Sequence, residues 1–290
     1  MALLNVPLTP STLPIILSRT RDVDPCVRSL IFSKILRHFH PAHLTILQRE
    51  TLVHDGLGDR DDKVKAAAAD MVDDWFGIAG GDTKTDFLAG VIQFLGLFDL
   101  CSDSGLTAAS DALRSIFVIR ASAVRKVVFP GNSRILRICT LGLTNSSAET
   151  YWRELTPEAA VFARCFIEYT SPNSVEASCS GIGLNMGHMM EDAGIPVITA
   201  FAFFVQENCN LMLDVIEELE TLKVEGGDED PPSDGEQYSS ALEQCEEELI
   251  QRVCILNEML KIAGCLDYSD EVGRRKMFLV IRWCSSPFLS

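Results

Sequence analysis

The chain has 290 residues, of which 47% are hydrophobic, and its formal net charge at pH 7 is −16. This apolar content predicts a packed core and excludes a wholly disordered chain. The acidic excess is local, because residues 214–250 carry 14 acidic side chains and one lysine, whereas the rest of the chain is nearly balanced. The net charge therefore does not exclude a basic, nucleic-acid-binding surface elsewhere in the chain.

The ten cysteines are scattered and form none of the C-x-x-C pairs that zinc sites use, which favours small buried side chains in a reducing compartment. The N-terminus lacks the basic and apolar regions of a secretory signal. The longest apolar run, residues 195–205, is about half the length that a membrane-spanning helix needs. We therefore expect an intracellular chain without a membrane segment.

One motif is repeated near the N-terminus: an aspartate, a valine five positions later, and a basic residue directly after the valine. Its first two copies are Asp22, Val27 and Arg28, and Asp59, Val64 and Lys65. The two valines are 37 positions apart, and apolar residues at helical spacing follow each of them. A fixed period with one apolar helix face per unit is typical of a helical solenoid, and the HEAT repeat, with two helices per unit, fits best.

Each residue of this motif has an expected structural role. The aspartate lies in the turn between the two helices of a unit, where its carboxylate can accept backbone N–H groups at the start of the second helix. The valine is the first core residue of that helix. The basic residue faces the aspartate of a neighbouring unit, so we expect ion pairs along the stack.

Residues 1–128 are predicted to form three HEAT-type units. The first unit has one helix within residues 8–20 and a second that begins near Pro25, a residue that is well tolerated in a first helical turn. The second unit has one helix at residues 44–57 and another after Asp59.

The third unit is predicted to extend from Asp86 to about Val128. Its turn, at residues 99–105, is a degraded copy of the motif. In this copy Leu106 takes the valine position and Thr107 takes the basic position.

Residues 129–222 are predicted to form less regular helical repeats with inserted loops. Within them we expect one short element at residues 135–141 and a long helix at 196–222. Another helix is expected to begin with Thr156 as its N-cap and Pro157 in its first position.

The last part of the chain combines an acidic segment with a return of the motif. Residues 223–238 are predicted to form a disordered loop, because their composition cannot bury enough apolar surface to become ordered. Residues 239–290 are predicted to form further HEAT-type helices. They contain another copy of the motif, with Asp267 and Val272, in which Gly273 takes the basic position.

Several segments resemble the condensin subunit 3 family, the Cap-G-type HEAT subunits of condensin, and its fungal members most closely. The matching segments keep their order along the chain: Leu8–Pro10, Thr12–Pro14, Arg21–Asp24, Gly58–Asp61, Val64, Lys65, Trp75, Glu154–Glu158 and Ser269–Lys276. The last two segments are the most specific, because the aspartate–valine motif alone specifies only a HEAT repeat. Residues 129–150 and the acidic loop match nothing in the family, and we expect the array to be truncated at both ends.

The resemblance implies an all-α HEAT-repeat scaffold of condensin that is not an enzyme and needs no cofactor. It implies binding to the kleisin subunit inside a curved solenoid, and work beside the SMC subunits, which hydrolyse ATP. It also implies that the scaffold holds double-stranded DNA during mitotic chromosome condensation. The implied location is the nucleus and the chromosome, with the cytoplasm for part of the cell cycle.

Two basic clusters are the candidates for contact with the DNA backbone. They are Arg60, Lys63 and Lys65, and Arg274, Arg275 and Lys276. The first cluster lies at a predicted helix start, where backbone N–H groups and basic side chains can both meet phosphate, and the second is the densest basic run of the chain. No aromatic residues are interleaved with them, so we expect contact with the duplex backbone without base readout. The alternative for both clusters is a solvated surface.

Two other functions are consistent with the sequence. A HEAT adaptor of another kind, such as a transport or phosphatase scaffold, would bind proteins and not DNA. A metal-dependent hydrolase would use His38, His40, His43 and Asp55. Against the metal site, Pro41 interrupts the segment, and residues two apart on a helix point to different faces.

Overall fold

A computed structural model describes residues 9–80, 87–129, 151–171, 193–225 and 235–284. Every regular element in these ranges is a helix, which confirms the all-α prediction. The chain divides into two compact units, the first formed mainly by residues up to Val127 and the second mainly by those from Val128 onward. No helix within the described ranges is both long enough and apolar enough to cross a membrane.

The first compact unit contains helices in each of the three segments predicted to form repeats. Its α-helices in the described residues are α1 (Leu13–Ser18), α2 (Pro25–Leu30), α3 (Ile46–Leu57), α4 (Asp62–Ala79), α5 (Phe87–Leu95), α6 (Asp103–Ile119) and α7 (Ala121–Val124). Helix α2 continues through a π-helical turn at Ile31–Ile35 and a 3-10 turn at Leu36–His38. The helix starts predicted near Pro25 and after Asp59 are confirmed. The first helix of the second HEAT repeat, predicted at residues 44–57, is also confirmed as α3.

Helix α4 is the centre of this unit, because α2, α3, α5 and α6 all pack against it. Its buried side chains recur at helical spacing: Val64, Ala67, Ala68, Met71, Val72, Trp75 and Phe76. The Trp75 indole is fully buried, and its Nε1–H donates to the Leu36 carbonyl at 2.9 Å. The largest side chain of the core therefore leaves no unsatisfied donor.

The turns before α2 and α4 share one hydrogen-bonding pattern. The Asp22 carboxylate accepts the Asp24 N–H at 3.0 Å, and Asp24 in turn accepts the Cys26 N–H at 2.8 Å. Asp59 and Asp61 repeat both contacts in the next turn. The motif aspartate thus orders the turn, while the N-cap is the aspartate two residues later.

The core position of the motif is the third residue after this N-cap. In α4 it is Val64, whose side chain is 0% exposed. In α2 it is Val27, which is half-buried. The basic residue follows directly, as the motif predicts.

The fourth copy of the motif has a different register, because one extra residue separates the turn aspartate from the N-cap. Asp267 accepts the Ser269 N–H at 2.9 Å, and the N-cap is Asp270, whose carboxylate accepts the Val272 and Gly273 N–H groups at 3.1 Å each. Gly273 is therefore the core residue. The expectation of a core valine at Val272 is wrong, since that side chain is 59% exposed.

The third copy also has one extra residue between the turn aspartate, Asp99, and the N-cap. Ser102 is the N-cap of α6 and accepts the Gly105 N–H at 3.1 Å, so Gly105 takes the core position that the motif assigned to Leu106. A Cβ atom on Gly105 would lie 2.1 Å from the Asp99 carbonyl oxygen. Both copies with the extra residue thus have glycine at the close contact where α4 has valine.

The helices of the second compact unit that lie wholly within the described residues are α8 (Pro157–Thr170), α9 (Ile198–Glu225), α10 (Gly235–Ala263) and α11 (Glu271–Cys284). The start of α8 is as predicted, with Pro157 first and the Thr156 hydroxyl accepting the Ala159 N–H at 3.3 Å. Helix α9 packs against α10 and α11, and α10 also packs against α8.

A buried charge cluster joins α8 to α10. Arg164, which is 5% exposed, pairs with the fully buried Glu258. Glu168 lies 2.8 Å from Arg164, and Lys261 lies 2.7 Å from Glu258. Two cations and two anions therefore balance one another in a region where an unpaired charge would be strongly destabilising.

Both ends of the predicted disordered loop, residues 223–238, are helical instead. Helix α9 continues to Glu225 and α10 begins at Gly235. Residues 226–234 lie outside the described residues, as do the inserted segment 130–150 and the short element predicted within it.

The helical ends of this segment adjoin an apolar stripe that α9 and α10 share. Val215 and Leu219 of α9 and Cys245 of α10 form a small buried cluster, to which Leu222, Leu242 and Leu249 add partly buried surface. The Tyr238 hydroxyl donates to the Leu222 carbonyl. The stripe residues all lie in segments that were predicted to be helical, and only the ends of the predicted loop were assigned wrongly.

The motif valines allow a matched test of the register. Val64→Asp should lower the free energy of unfolding by about 4 kcal/mol, because it places a carboxylate in a fully buried site. Val27→Asp should have a smaller effect. Val272→Asp should be close to neutral, because that side chain is exposed in the first turn of α11, where an acidic residue is favourable. Urea denaturation measures all three, and equal effects at Val64 and Val272 would contradict the register.

The glycine contacts are tested in the same way. A Cβ atom on Gly273 would lie 2.4 Å from Ile198 Cγ2, so Gly273→Ala and Gly105→Ala should each lower the free energy of unfolding by about 1–3 kcal/mol. Gly96 is the control, because its Cβ would meet nothing closer than the Gln93 carbonyl oxygen at 3.5 Å. Gly96→Ala should change stability by less than about 0.5 kcal/mol. A thermal melt of Gly273→Ala that matched that of Gly96→Ala would rule out the close contact.

Candidate nucleic-acid interface

The first basic cluster surrounds the start of α4. Arg60, Lys63 and Lys65 are all exposed. Lys65 Nζ lies 3.5 Å from the Asp62 carboxylate of its own helix, rather than beside the aspartate of the next unit as predicted. Arg60 and Lys63 have no ion-pair partner among the residues that the structure describes.

The backbone N–H groups at this helix start are already used. The Asp61 carboxylate accepts the Lys63 N–H at 2.9 Å and the Val64 N–H at 3.4 Å. Three aspartates also alternate with the three basic residues in the segment 59–65, so its formal charge is balanced. A phosphate could therefore meet only the side chains here, against local acidic competition.

The second basic cluster lies on α11. Arg274, Arg275 and Lys276 are exposed, and only Arg275 has an ion-pair partner within the described ranges, Glu271 at 2.5 Å. The Asp270 carboxylate accepts the Thr199 hydroxyl at 2.6 Å as well as the N–H groups that it caps. These hydrogen bonds, that of Thr199 first, hold the pKa of Asp270 below its ordinary value. Arg274 and Lys276 are exposed and form no ion pair with the described residues, although Lys276 also contributes to the lowered pKa of Asp270.

Arginines of the first unit connect successive helices. Arg28 Nε and Nη2 donate to the two carboxylate oxygens of Asp59 at 2.7 and 2.8 Å, and both side chains are buried. This contact confirms the predicted ion pair between a motif arginine and the aspartate of the next unit. Because of the Arg28 hydrogen bonds, the pKa of Asp59 is lowered from its ordinary value.

Other arginines of the first compact unit also pair with aspartates that are distant in sequence. They are Arg21 with Asp55 at 2.6 Å, Arg37 with Asp74 at 2.5 Å and with Asp70 at 3.2 Å, and Arg120 with Asp73 at 2.5 Å. Each joins residues at least 33 positions apart in sequence. Much of the positive charge of the first unit is therefore used within the fold and is not available to DNA.

The contact between the second and third HEAT repeats uses a glutamate instead of an arginine. Glu50 of α3 is 5% exposed, and its carboxylate accepts the Asp99 N–H at 3.1 Å and the Ser104 hydroxyl at 3.3 Å. Glu50, and not Lys65, therefore contacts the turn of the third repeat, and it does so by hydrogen bonds instead of the predicted ion pair. The sequence carries no local signal for this exchange, because the residues that it joins are about 50 positions apart.

The histidine cluster does not assemble a metal site. His40 Nδ1 accepts the Ala42 N–H at 3.2 Å, and its ring contacts His43 with centroids 5.4 Å apart. Asp55 forms its ion pair with Arg21. No group of three or more potential ligands within the described ranges is arranged to hold a metal ion.

Comparison with known proteins gives a consistent result. No protein-family model matches the chain. Curated relatives to which it is similar include condensin complex subunit 3 of Schizosaccharomyces pombe, 30% identical over 168 residues, and of Saccharomyces cerevisiae, 25% identical over 285 residues. The human condensin complex subunit 3 is 43% identical over 56 residues. The resemblance to condensin subunit 3 is confirmed.

The extent of these matches differs. The S. pombe match covers 57% of this chain and 16% of the relative, the S. cerevisiae match 97% and 22%, and the human match 19% and 6%. The chain thus spans less than a quarter of the condensin subunits that it matches.

A solved structure supports the fold. The crystal structure of the S. pombe condensin Cnd3-Cnd2 subcomplex matches with a TM-score of 0.65 and 23% identity, covering 98% of this chain and 29% of that one. The chain is therefore a HEAT-repeat solenoid, as its motif predicts.

The Arg28–Asp59 pair leads to a prediction about pH. The pKa of Asp59 is lowered in the folded state, so the pair stabilises the fold above the ordinary pKa of aspartate, about 3.9, and this stabilisation is lost as the pH falls through the folded pKa. Asp59→Asn should therefore reduce stability most at neutral pH, and the difference from the parent chain should shrink in acid.

Denaturation of both chains at several pH values measures this difference. Asp55→Asn is the control, because its partner Arg21 is exposed and solvent screens the pair. A difference for Asp59→Asn that stayed constant from neutral to acidic pH would contradict the assigned interaction.

Proposed function

We propose that this chain is part of a condensin HEAT-repeat subunit, a scaffold without catalytic activity that binds the kleisin subunit and the backbone of duplex DNA. The observation that carries the proposal is the similarity to condensin subunit 3 over 97% of the chain. The proposed setting is the nucleus and the mitotic chromosome, where the SMC subunits supply ATP hydrolysis.

Binding to the kleisin is supported by the solved relative. That structure is described as a subcomplex of Cnd3 with Cnd2, and its solenoid matches 98% of this chain. We infer that a Cnd2-like kleisin is the partner of this chain.

The α11 cluster is the stronger candidate for DNA contact. Arg274 and Lys276 form no ion pair with the described residues, although Lys276 lies near enough to Asp270 to help lower its pKa, whereas the α4 cluster alternates with three aspartates. At Gly273 the start of α11 packs closely against Ile198 and Thr199 of α9. The basic cluster therefore follows a well-packed first turn of the helix. Contacts to phosphate from such a cluster would add affinity without base specificity.

A charge reversal tests this assignment. Arg274→Glu, Arg275→Glu and Lys276→Glu together should weaken duplex binding by the complex of the chain with its kleisin, equally for unrelated DNA sequences. Each lost phosphate contact should reduce the log–log slope of affinity against salt by about 0.9. Fluorescence anisotropy at several salt concentrations measures both effects.

The matched control reverses three other exposed basic residues, Lys34, Arg125 and Lys126, and therefore changes the net charge by the same amount. It should leave the slope closer to that of the parent complex. A slope that the α11 reversal left unchanged would make this cluster a solvated surface.

A second candidate function is an adaptor that binds proteins and not DNA. It is favoured by the use of Arg21, Arg28, Arg37 and Arg120 in internal pairs and by the net charge of −16. Failure of the complex with kleisin to bind duplex DNA even at low salt would support the adaptor over the DNA-binding scaffold.

A further inference from the structure

The second unit contains an open groove of about 1070 Å³. It lies among the start of α8, the middle of α9 and the middle of α10. Leu155 and Ile255, each 3% exposed, contribute to its lining, and Leu211 is 37% exposed there. The groove thus offers an apolar floor that an aliphatic side chain can cover.

The rest of the lining is strongly acidic. Its charged residues are Glu154, Glu158, Glu207, Glu247, Glu248, Arg153 and Arg252. Both arginines are held by glutamates of the groove itself, Arg153 by Glu207 at 2.8 Å and Arg252 by Glu248 at 3.2 Å. Glu154, Glu158 and Glu247 have no ion-pair partner among the described residues.

The shape and lining indicate the class of ligand. The volume is at the upper limit of small-molecule pockets and the groove is open, which suits a length of peptide better than an enclosed metabolite. Three unpaired carboxylates attract cations and repel phosphate. The side-chain amides of Gln244 and Gln251 can both donate and accept, as recognition of a peptide backbone requires.

We propose that this groove binds a short peptide segment of a second protein, in which lysine or arginine residues flank an aliphatic residue. The aliphatic side chain covers the exposed part of Leu211, above the buried Ile255, and the cations meet Glu154, Glu158 and Glu247. The groove is therefore a protein-binding surface that excludes nucleic acid. This assignment does not depend on the proposed role in condensin.

The test uses the full chain and a fluorescein-labelled peptide of sequence Lys-Arg-Leu-Lys-Arg, with Glu-Glu-Leu-Glu-Glu as the opposite-charge probe. The basic peptide should bind and the acidic one should not. Glu154→Gln with Glu247→Gln should weaken binding about fivefold to tenfold, since an exposed ion pair contributes up to about 1 kcal/mol. Both residues are exposed and outside the internal ion pairs, so the fold should be kept, and circular dichroism checks this.

The control separates the groove from general attraction to an acidic protein. Glu218→Gln with Glu243→Gln removes the same charge from exposed positions of α9 and α10 that do not line the groove. Binding should stay within about twofold of the parent chain. Equal weakening by the groove and control pairs, or binding of the acidic peptide as tight as that of the basic one, would overturn the proposal.

Weaker binding by Leu211→Ala, at the same salt dependence, would support the apolar part of the site. Unchanged binding by this variant would refute that part.

Discussion

The buried pair of Arg28 and Asp59 is the interaction on which the first unit depends. In a solenoid each repeat contacts only its neighbours, so stability is set by the interfaces between successive repeats. This pair places a bidentate, charge-assisted contact at such an interface, and Asp59 simultaneously orders the turn before α4. One carboxylate therefore fixes both the start of a helix and its position against the preceding repeat.

The turns with an extra residue solve the same packing problem differently. In the turns before α6 and α11 the N-cap lies three residues after the turn aspartate, instead of two as before α2 and α4. The third helical residue is then Gly105 or Gly273, and because glycine has no Cβ the helix can lie close to its neighbour. Among the residues that the structure describes, no arginine pairs with Asp99 or Asp267, and at the Asp99 turn the Glu50 carboxylate accepts the Asp99 N–H instead. Repeats of one fold can thus differ in the chemistry of their interfaces while the geometry of the stack is kept.

The parts of the fold that were predictable from sequence depend on local signals. Pro25, Thr156 and the turn aspartates predicted helix starts that the structure contains, because capping involves residues only a few positions apart. The register at Val272 was not predictable, since an aspartate in a turn and an aspartate at an N-cap look alike in a sequence.

The candidate sites divide in the same way. The basic clusters are contiguous in sequence and could be found from it, but which of their members are already paired could not. The α8–α10 groove joins residues from Arg153 to Ile255, and no short pattern brings together positions so far apart. Val215, Leu219 and Cys245 lie in helices that were predicted, but their packing against one another joins positions about 30 residues apart and has no local signal.

That small cluster has a consequence for how the chain responds to ionic strength. The adjoining ends of α9 and α10 carry a dense run of like charges over a thin apolar stripe, so mutual repulsion opposes their pairing. Added salt screens this repulsion and tightens the helical hairpin. The same salt weakens any phosphate contact at α11, which packs on the opposite end of α9. One change of medium would therefore drive the order of the α9–α10 pair and the proposed affinity for DNA in opposite directions.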